Sequence, residues 1–182
     1  FMAGGPGTGK STIIKGLGLK EQGFKIVNQD ISLEWLGKNH GMPKDMREFT
    51  AEQRSKWGEL TWEARNIAQR KQMKFQGKGD GIIVDGTGQS KISMETQVMK
   101  FKNKGYDVSM LFVEAPLDIS IARNKARKER SLKTSIVERT WNNVMKNKES
   151  YRETFGENFI EVNTSKLKLG DALPKDVTAK SD

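Results

Sequence analysis

Phe1-Met2-Ala3-Gly4-Gly5-Pro6-Gly7-Thr8-Gly9-Lys10-Ser11-Thr12 is the stretch whose reading decides the fold. From Gly4 it satisfies G-x-x-x-x-G-K-[ST] at every fixed position, the pattern of a phosphate-binding loop. Glycine reaches backbone torsions that other residues avoid. Successive N–H groups between Gly5 and Thr12, through Gly7, Thr8 and Gly9, can therefore turn toward one anion. The helix that follows adds its positive end and its unpaired N–H donors. Lys10 supplies a cation for the outer phosphates, and the Ser11 hydroxyl can bind Mg²⁺. A glycine-rich turn that merely happens to carry Lys-Ser is the plainer alternative, but it leaves the apolar entry Phe1-Met2-Ala3 without a purpose. That entry is short for a strand, which usually has about five residues. Position 1 is not Met, so the spacing implies further residues before Phe1.

Working outward, the chain alternates short apolar runs with helical stretches. Lys10 to Gln22 reads as a helix closed by Gly23, with Gly16 and Gly18 implying close packing against a sheet. Phe24-Lys25-Ile26-Val27-Asn28 reads as a strand leading to Gln29-Asp30, and Ile31 to Lys38 as a short helix. Asn39 to Phe49, with Gly41 and Pro43, reads as a loop. Thr50 and Gln53 have capping-box spacing and open a long helix to about Gln76. Ile82-Ile83-Val84 is a continuous apolar run, as in a strand covered on both faces, and it ends in Asp85-Gly86-Thr87-Gly88. Further helices are expected over Ser93 to Lys104, Leu117 to Arg130 and Ser135 to Phe155, and strands over Val108 to Val113 and Phe159 to Val162. Strands and helices at this spacing predict an α/β fold, a parallel sheet between two helical layers with right-handed crossovers. Ligands collect at the C-terminal strand ends of such sheets. The loop at Gly4, Asp30 and Asp85 all fall there.

A chain of 182 residues fits one domain and can bury a full core. We place that domain at residues 1–165 and a polar C-terminal tail at 166–182. Cysteine is absent, which excludes disulfides, thiolate metal sites and a cysteine nucleophile, and fits a cytoplasmic setting. No apolar run is long enough to span a membrane. The net charge of +9 favours anionic partners such as nucleotides and nucleic acid.

Asp85 closes an apolar strand, where a carboxylate can hold Mg²⁺ directly or through water. Val84-Asp85-Gly86-Thr87 also overlaps the D-x-D-G-T signature of aspartate-nucleophile phosphatases, but Ile83 stands at the nucleophile position and excludes that chemistry. Asp30 supports two readings. It can orient an acceptor hydroxyl and take its proton, or it can cap the helix beginning at Ile31. Arg123, Arg127 and Arg130 fall at i, i+4 and i+7, a like-charged face suited to phosphates; a solvated helix surface is the alternative. Trp35, Trp57, Trp62 and Trp141 sit in helical patterns and read as packing residues, with the alternative that one or two of them line the acceptor pocket. His40 reads as a surface residue.

These residues together resemble the phage-type P-loop kinases grouped with polynucleotide 5′-kinases and zeta toxins. The resemblance rests on the Gly4–Ser11 loop, Val27-Asn28-Gln29-Asp30, Ile83-Val84-Asp85-Gly86-Thr87-Gly88 and Arg123-Asn124-Lys125-Ala126-Arg127, and it spans Phe1 to Val162. It implies about five parallel strands in the nucleoside-monophosphate-kinase arrangement, with an arginine-bearing lid. It further implies ATP and Mg²⁺ as cofactors and Asp30 as the general base. Arg127 would contact the donor phosphates, Arg123 would lie against adenine or phosphate, and Asn163 and Thr164 would lie near the adenine. The chain departs from polynucleotide kinases at Leu33, where an arginine often contacts substrate phosphate, and in lacking a fused phosphatase domain. The expected acceptor is a polynucleotide 5′-hydroxyl or a nucleotide-like molecule, with a UDP-amino sugar as the zeta-toxin alternative. An ATPase without an alcohol acceptor and a noncatalytic nucleic-acid module are the readings from other classes.

Overall fold

The computed structural model describes residues 1–127 and 131–167. Its strands are β1 (Met2–Ala3), β2 (Lys25–Asn28), β3 (Ile82–Asp85), β4 (Met110–Glu114) and β5 (Phe159–Asn163). Its α-helices are α1 (Lys10–Gly16), α2 (Gln29–Asn39), α3 (Ala51–Gly77), α4 (Lys91–Lys102), α5 (Leu117–Lys125) and α6 (Thr134–Phe155). The strands form one five-stranded sheet in the order β2-β3-β1-β4-β5. Every pairing is parallel. This is the α/β fold with five parallel strands in one sheet that was expected from the sequence.

Side chains alternate between the two faces of a strand, and here both faces are buried. Ala3, Met110 and Phe112 pack with Met94, Val98 and Phe101 of α4 and with Val144, Tyr151 and Phe155 of α6. Their neighbours Met2, Val113, Ile83 and Val162 point the other way and pack on Ile13, Ile14 and Leu17. Layers of helix, sheet and helix follow from that alternation. Each fully buried side chain of this size contributes roughly 1.5–3 kcal/mol. A third cluster joins α2 to α3 through Leu33, Leu36, Leu60 and Ala64. Lys148 of α6 bridges Glu114 at 2.8 Å and Glu161 at 2.6 Å, tying that helix to the end of β4 and the middle of β5.

Several local readings hold. Thr50 and Gln53 form a complete capping box at the start of α3. Gly156 stops α6 at φ +54°. Four readings need correction, the first being that Trp35 and Trp62, read as packing residues, are 61% and 67% exposed. The first helix ends at Gly16 instead of Gln22, because Gly18 adopts φ +60° and turns the chain. Gly18 does not mark close packing either, since a Cβ there would meet only Glu21 Oε2, at 3.8 Å. The fifth helix stops at Lys125, not Arg130; Arg130 lies outside the described residues, as does 168–182 of the expected tail. Leu167, at the end of the described part, packs against the α1 side of the core.

Candidate functional site

The loop between β1 and α1 is held from several directions. The Gly4 N–H donates to Thr87 O at 2.9 Å, joining the loop to the turn after β3. Thr8 is buried, and its hydroxyl donates to Gly5 O at 2.9 Å. Gly7 has φ +84°, and a Cβ there would sit 2.3 Å from Ser120 O of α5. Only glycine satisfies both the torsion and that approach. Gly9, at φ +92°, is the N-cap of α1 and offers no side-chain cap. Thr12 and Ile13 both donate to Gly9 O, at 2.9 and 3.1 Å. Lys10 is half-buried and folds back over the loop, with Nζ donating to Gly4 O at 2.7 Å. Ser11 is exposed and Thr12 half-buried.

Strand register sets the opposite wall. Asp85 pairs with Asn28 on one side and with Met2 on the other. The β3 carboxylate thus stands between the exit of β1 and the exit of β2. Neighbouring strands lie about 4.8 Å apart, which puts the β2 exit about 10 Å from that of β1. Asn28 joins the pieces. Its Nδ2 donates to Asp85 Oδ2 at 2.5 Å, and its Oδ1 accepts the Asp30 N–H at 2.7 Å. The cap of α2 is therefore Asn28. Of the two readings of Asp30, the capping one is removed: Asp30 is an exposed residue of the first turn, where the helix dipole favours its charge.

The far wall is built by contacts that sequence spacing does not reveal. Thr164, at 1% exposure, donates to Thr8 O at 2.7 Å and to Glu114 O at 3.2 Å. It bolts the turn after β5 to the phosphate loop across 156 positions of chain. Arg123 donates to Thr164 Oγ1, Thr164 O and Leu167 O, at 3.0, 2.8 and 2.6 Å. Its guanidinium holds that same turn. Asn163, next to it, is exposed, and its Oδ1 accepts the Ser165 N–H at 2.9 Å. Trp141 leans on Gly5, with Cδ1 3.5 Å from where a Cβ would lie, and anchors its Nε1 on Ala115 O at 2.9 Å. Tyr151 donates to Gly88 O at 2.6 Å and fixes the turn after Asp85. Burial pushes its phenol up to about 12. Arg127 is exposed just past α5, and its N–H donates to Asn124 O at 3.3 Å. The buried Asn124 amide clasps Leu132 through both its N–H and its carbonyl, at 3.2 and 2.8 Å, and so closes the base of the loop carrying Arg127.

Among the described residues no group of three His, Cys, Asp or Glu is placed to hold a metal by itself. The pair of Ser11 and Asp85 suits a different mode, in which Mg²⁺ takes one or two protein oxygens and completes its shell with phosphate and water. No helix of the described residues is long and apolar enough to cross a membrane.

Solved structures share this architecture. A chain of the AvrRxo1-ORF1:ORF2 complex with ATP is 20% identical with a TM-score of 0.69; the match covers 90% of the present chain and 53% of that one. The present chain therefore spans about half the length of that relative. A proposed kinase from Chloroflexus aurantiacus is 12% identical with a TM-score of 0.67, over 99% of this chain and 91% of its own. The deoxyadenosine kinase of M. mycoides with bound dATP is 16% identical with a TM-score of 0.52, over 99% and 95%. At these identities the likeness establishes the fold. No curated protein matches. Residues 1–151, from the phosphate loop through most of α6, match the family model AAA_33, described as an AAA domain, and the chain belongs to that family.

Proposed function

We propose that the chain is an ATP-dependent kinase that transfers the γ-phosphoryl group to a hydroxyl, of a polynucleotide 5′ end or of a nucleotide-like acceptor. The observation that carries this reading is Asn28. It caps α2 and holds Asp85 with one amide, and so sets Asp30 in the first turn of α2, just past the end of β2. The loop amides, with Gly5, Gly7, Thr8, Gly9 and Thr12 shaping the cradle, bind the donor polyphosphate. Lys10 leaves the Gly4 carbonyl for the outer phosphates, and Arg127 meets them from the α5 side. Ser11 and Asp85 would hold Mg²⁺, which supplies charge neutralisation on the phosphates when bound. Asp30 orients the acceptor oxygen and receives its proton as the new P–O bond forms and the bond to the ADP oxygen breaks. Arg123 and Thr164 serve the donor side by bracing the turn that carries Asn163, which lies where the adenine would rest.

The test is incubation with γ-labelled ATP and a panel of 5′-hydroxyl oligonucleotides, nucleosides, nucleotides and UDP-N-acetylglucosamine. The expected result is label on one acceptor class, abolished by Lys10→Ala with the far-ultraviolet spectrum intact. Label released only as free phosphate would make the protein an ATPase. Loss of fold in Lys10→Ala would make the lysine structural.

A further inference from the structure

α2 and α3 enclose a groove of about 450 Å³ lined by Ile31, Ser32, Trp35, Ile67 and Lys71. Its walls are mostly apolar, yet it is open. Trp35 is 61% exposed and Ile31 is 53% exposed. Exposed apolar side chains gathered at one groove, instead of scattered singly, offer a surface for a ligand. The floor carries a second signal. Ser32 is only 4% exposed, and its hydroxyl has no hydrogen-bond partner. A buried hydroxyl left unpaired costs about 1–3 kcal/mol, which a bound polar edge would offset. An indole face, an unsatisfied hydroxyl and a lysine suit a planar ring with a polar edge and an attached anion.

Charge identifies the size of that ligand. Arg70, Lys71 and Lys74 lie three, four and seven residues after Ile67 on one face of α3, and Lys78, its C-cap, follows at eleven. All four cations are exposed. No Asp or Glu occurs between Ala64 and Lys78. From Arg70 to Lys78 the row of cations continues for about 12 Å at 1.5 Å per residue, longer than one phosphate needs. Aromatic stacking beside a track of cations is the design of a single-strand binder, since every base offers a π-face and every link a charge.

We infer that this α2/α3 groove binds an unpaired base of a single-stranded nucleic acid, stacked on Trp35 with its edge at Ser32, while the flanking phosphates follow Lys71, Lys74 and Lys78. The site extends past the phosphoryl-transfer reading and requires neither ATP nor a reaction. Its first residue, Ile31, follows Asp30 directly, so a strand held there would bring its end toward the transfer site.

The experiment is filter binding and tryptophan quenching with an oligothymidylate of about a dozen nucleotides, in the absence of ATP. Wild type is expected to bind with a steep salt dependence. Trp35→Ala should weaken binding about tenfold, the scale of one stacked base. Lys71→Glu should weaken it and lower the salt slope by about one. Both substitutions are at exposed positions, and unchanged thermal melting together with unchanged intrinsic ATP turnover would show that the fold and the phosphate loop are intact. Equal binding by wild type and both variants would overturn the assignment. So would thymidine monophosphate competing as well as the oligomer, which would make the groove a mononucleotide pocket. Failure of the acceptor panel with binding retained would leave this site standing and remove the kinase reading alone.

Discussion

Asn28 concentrates at one side chain what the site needs from three elements. It ends β2, caps α2 and donates to the carboxylate that ends β3. Its amide has no freedom to flip, because a carboxylate can only accept and a backbone N–H can only donate. Replacing it by alanine removes the cap, worth about 0.5–2 kcal/mol, and a charge-assisted bond as well. Asn28→Ala is therefore expected to lose about 2 kcal/mol in urea unfolding and to lower kcat more than nucleotide affinity. Unchanged stability with unchanged kcat would show that Asp30 and Asp85 do not depend on it. The Asn-x-Asp pattern could be read in the sequence, but the division of labour within it could not. Whether Asn28 or Asp30 caps the helix depends on where the helix begins, and the structure begins it at Gln29.

At the scale of elements, the phosphate loop has no room for a side chain at Gly7 because α5 packs directly against it. A Cβ at Gly7 would strike Ser120 O at 2.3 Å, whereas one at Gly86, in the turn after β3, would meet nothing within 4 Å. Gly7→Ala should distort the loop and abolish nucleotide binding. Gly86→Ala should bind nucleotide within about twofold of wild type and change stability by under about 1 kcal/mol, as expected for an open site. Thermal shift with and without ATP reads both; an ATP shift in Gly7→Ala equal to that of wild type would contradict the packing argument. The capping box at Thr50 and the end of α6 at Phe155 were legible because local pattern determines them, whereas the five-stranded arrangement came from the family resemblance. The bolt from Thr164 to Thr8, the Arg123 bonds to the turn after β5 and the seat of Trp141 on Gly5 were not. Each joins residues far apart in the chain, and no local spacing encodes such a meeting. The early end of α1 was missed for a different reason: a glycine inside a helical pattern reads alike whether it packs or turns, and Gly18 turns.

For the whole molecule, charge and burial predict how stability responds to pH. Tyr151, buried between α6 and the turn after Asp85, has its phenol raised from 10.0 to about 12 by desolvation. The folded state keeps that proton where the unfolded chain has lost it. The contribution is thus fully present below pH 10 and is lost as the pH rises toward 12. Tyr151→Phe should flatten this part of the profile while losing about 1 kcal/mol at neutral pH with the bond to Gly88. An alkaline profile unchanged by the substitution would assign the loss to other groups. On the acid side, Glu161 is opposed by burial, but hydrogen bonds from Lys148 and Arg152 outweigh it and hold the carboxyl below 4.5. Its contribution is present above that value and fades as the pH falls through the folded one.

The most direct measurement is single-turnover transfer of the labelled γ-phosphoryl group by wild type and by Asp30→Asn, using the acceptor that the panel identifies. The variant keeps the size, the helix and the Asn28 cap, and removes the carboxylate that would take the proton. The account predicts unchanged ATP affinity and a transfer rate at least about a hundredfold lower, the scale of a lost general base. Transfer at the wild-type rate by Asp30→Asn would contradict it.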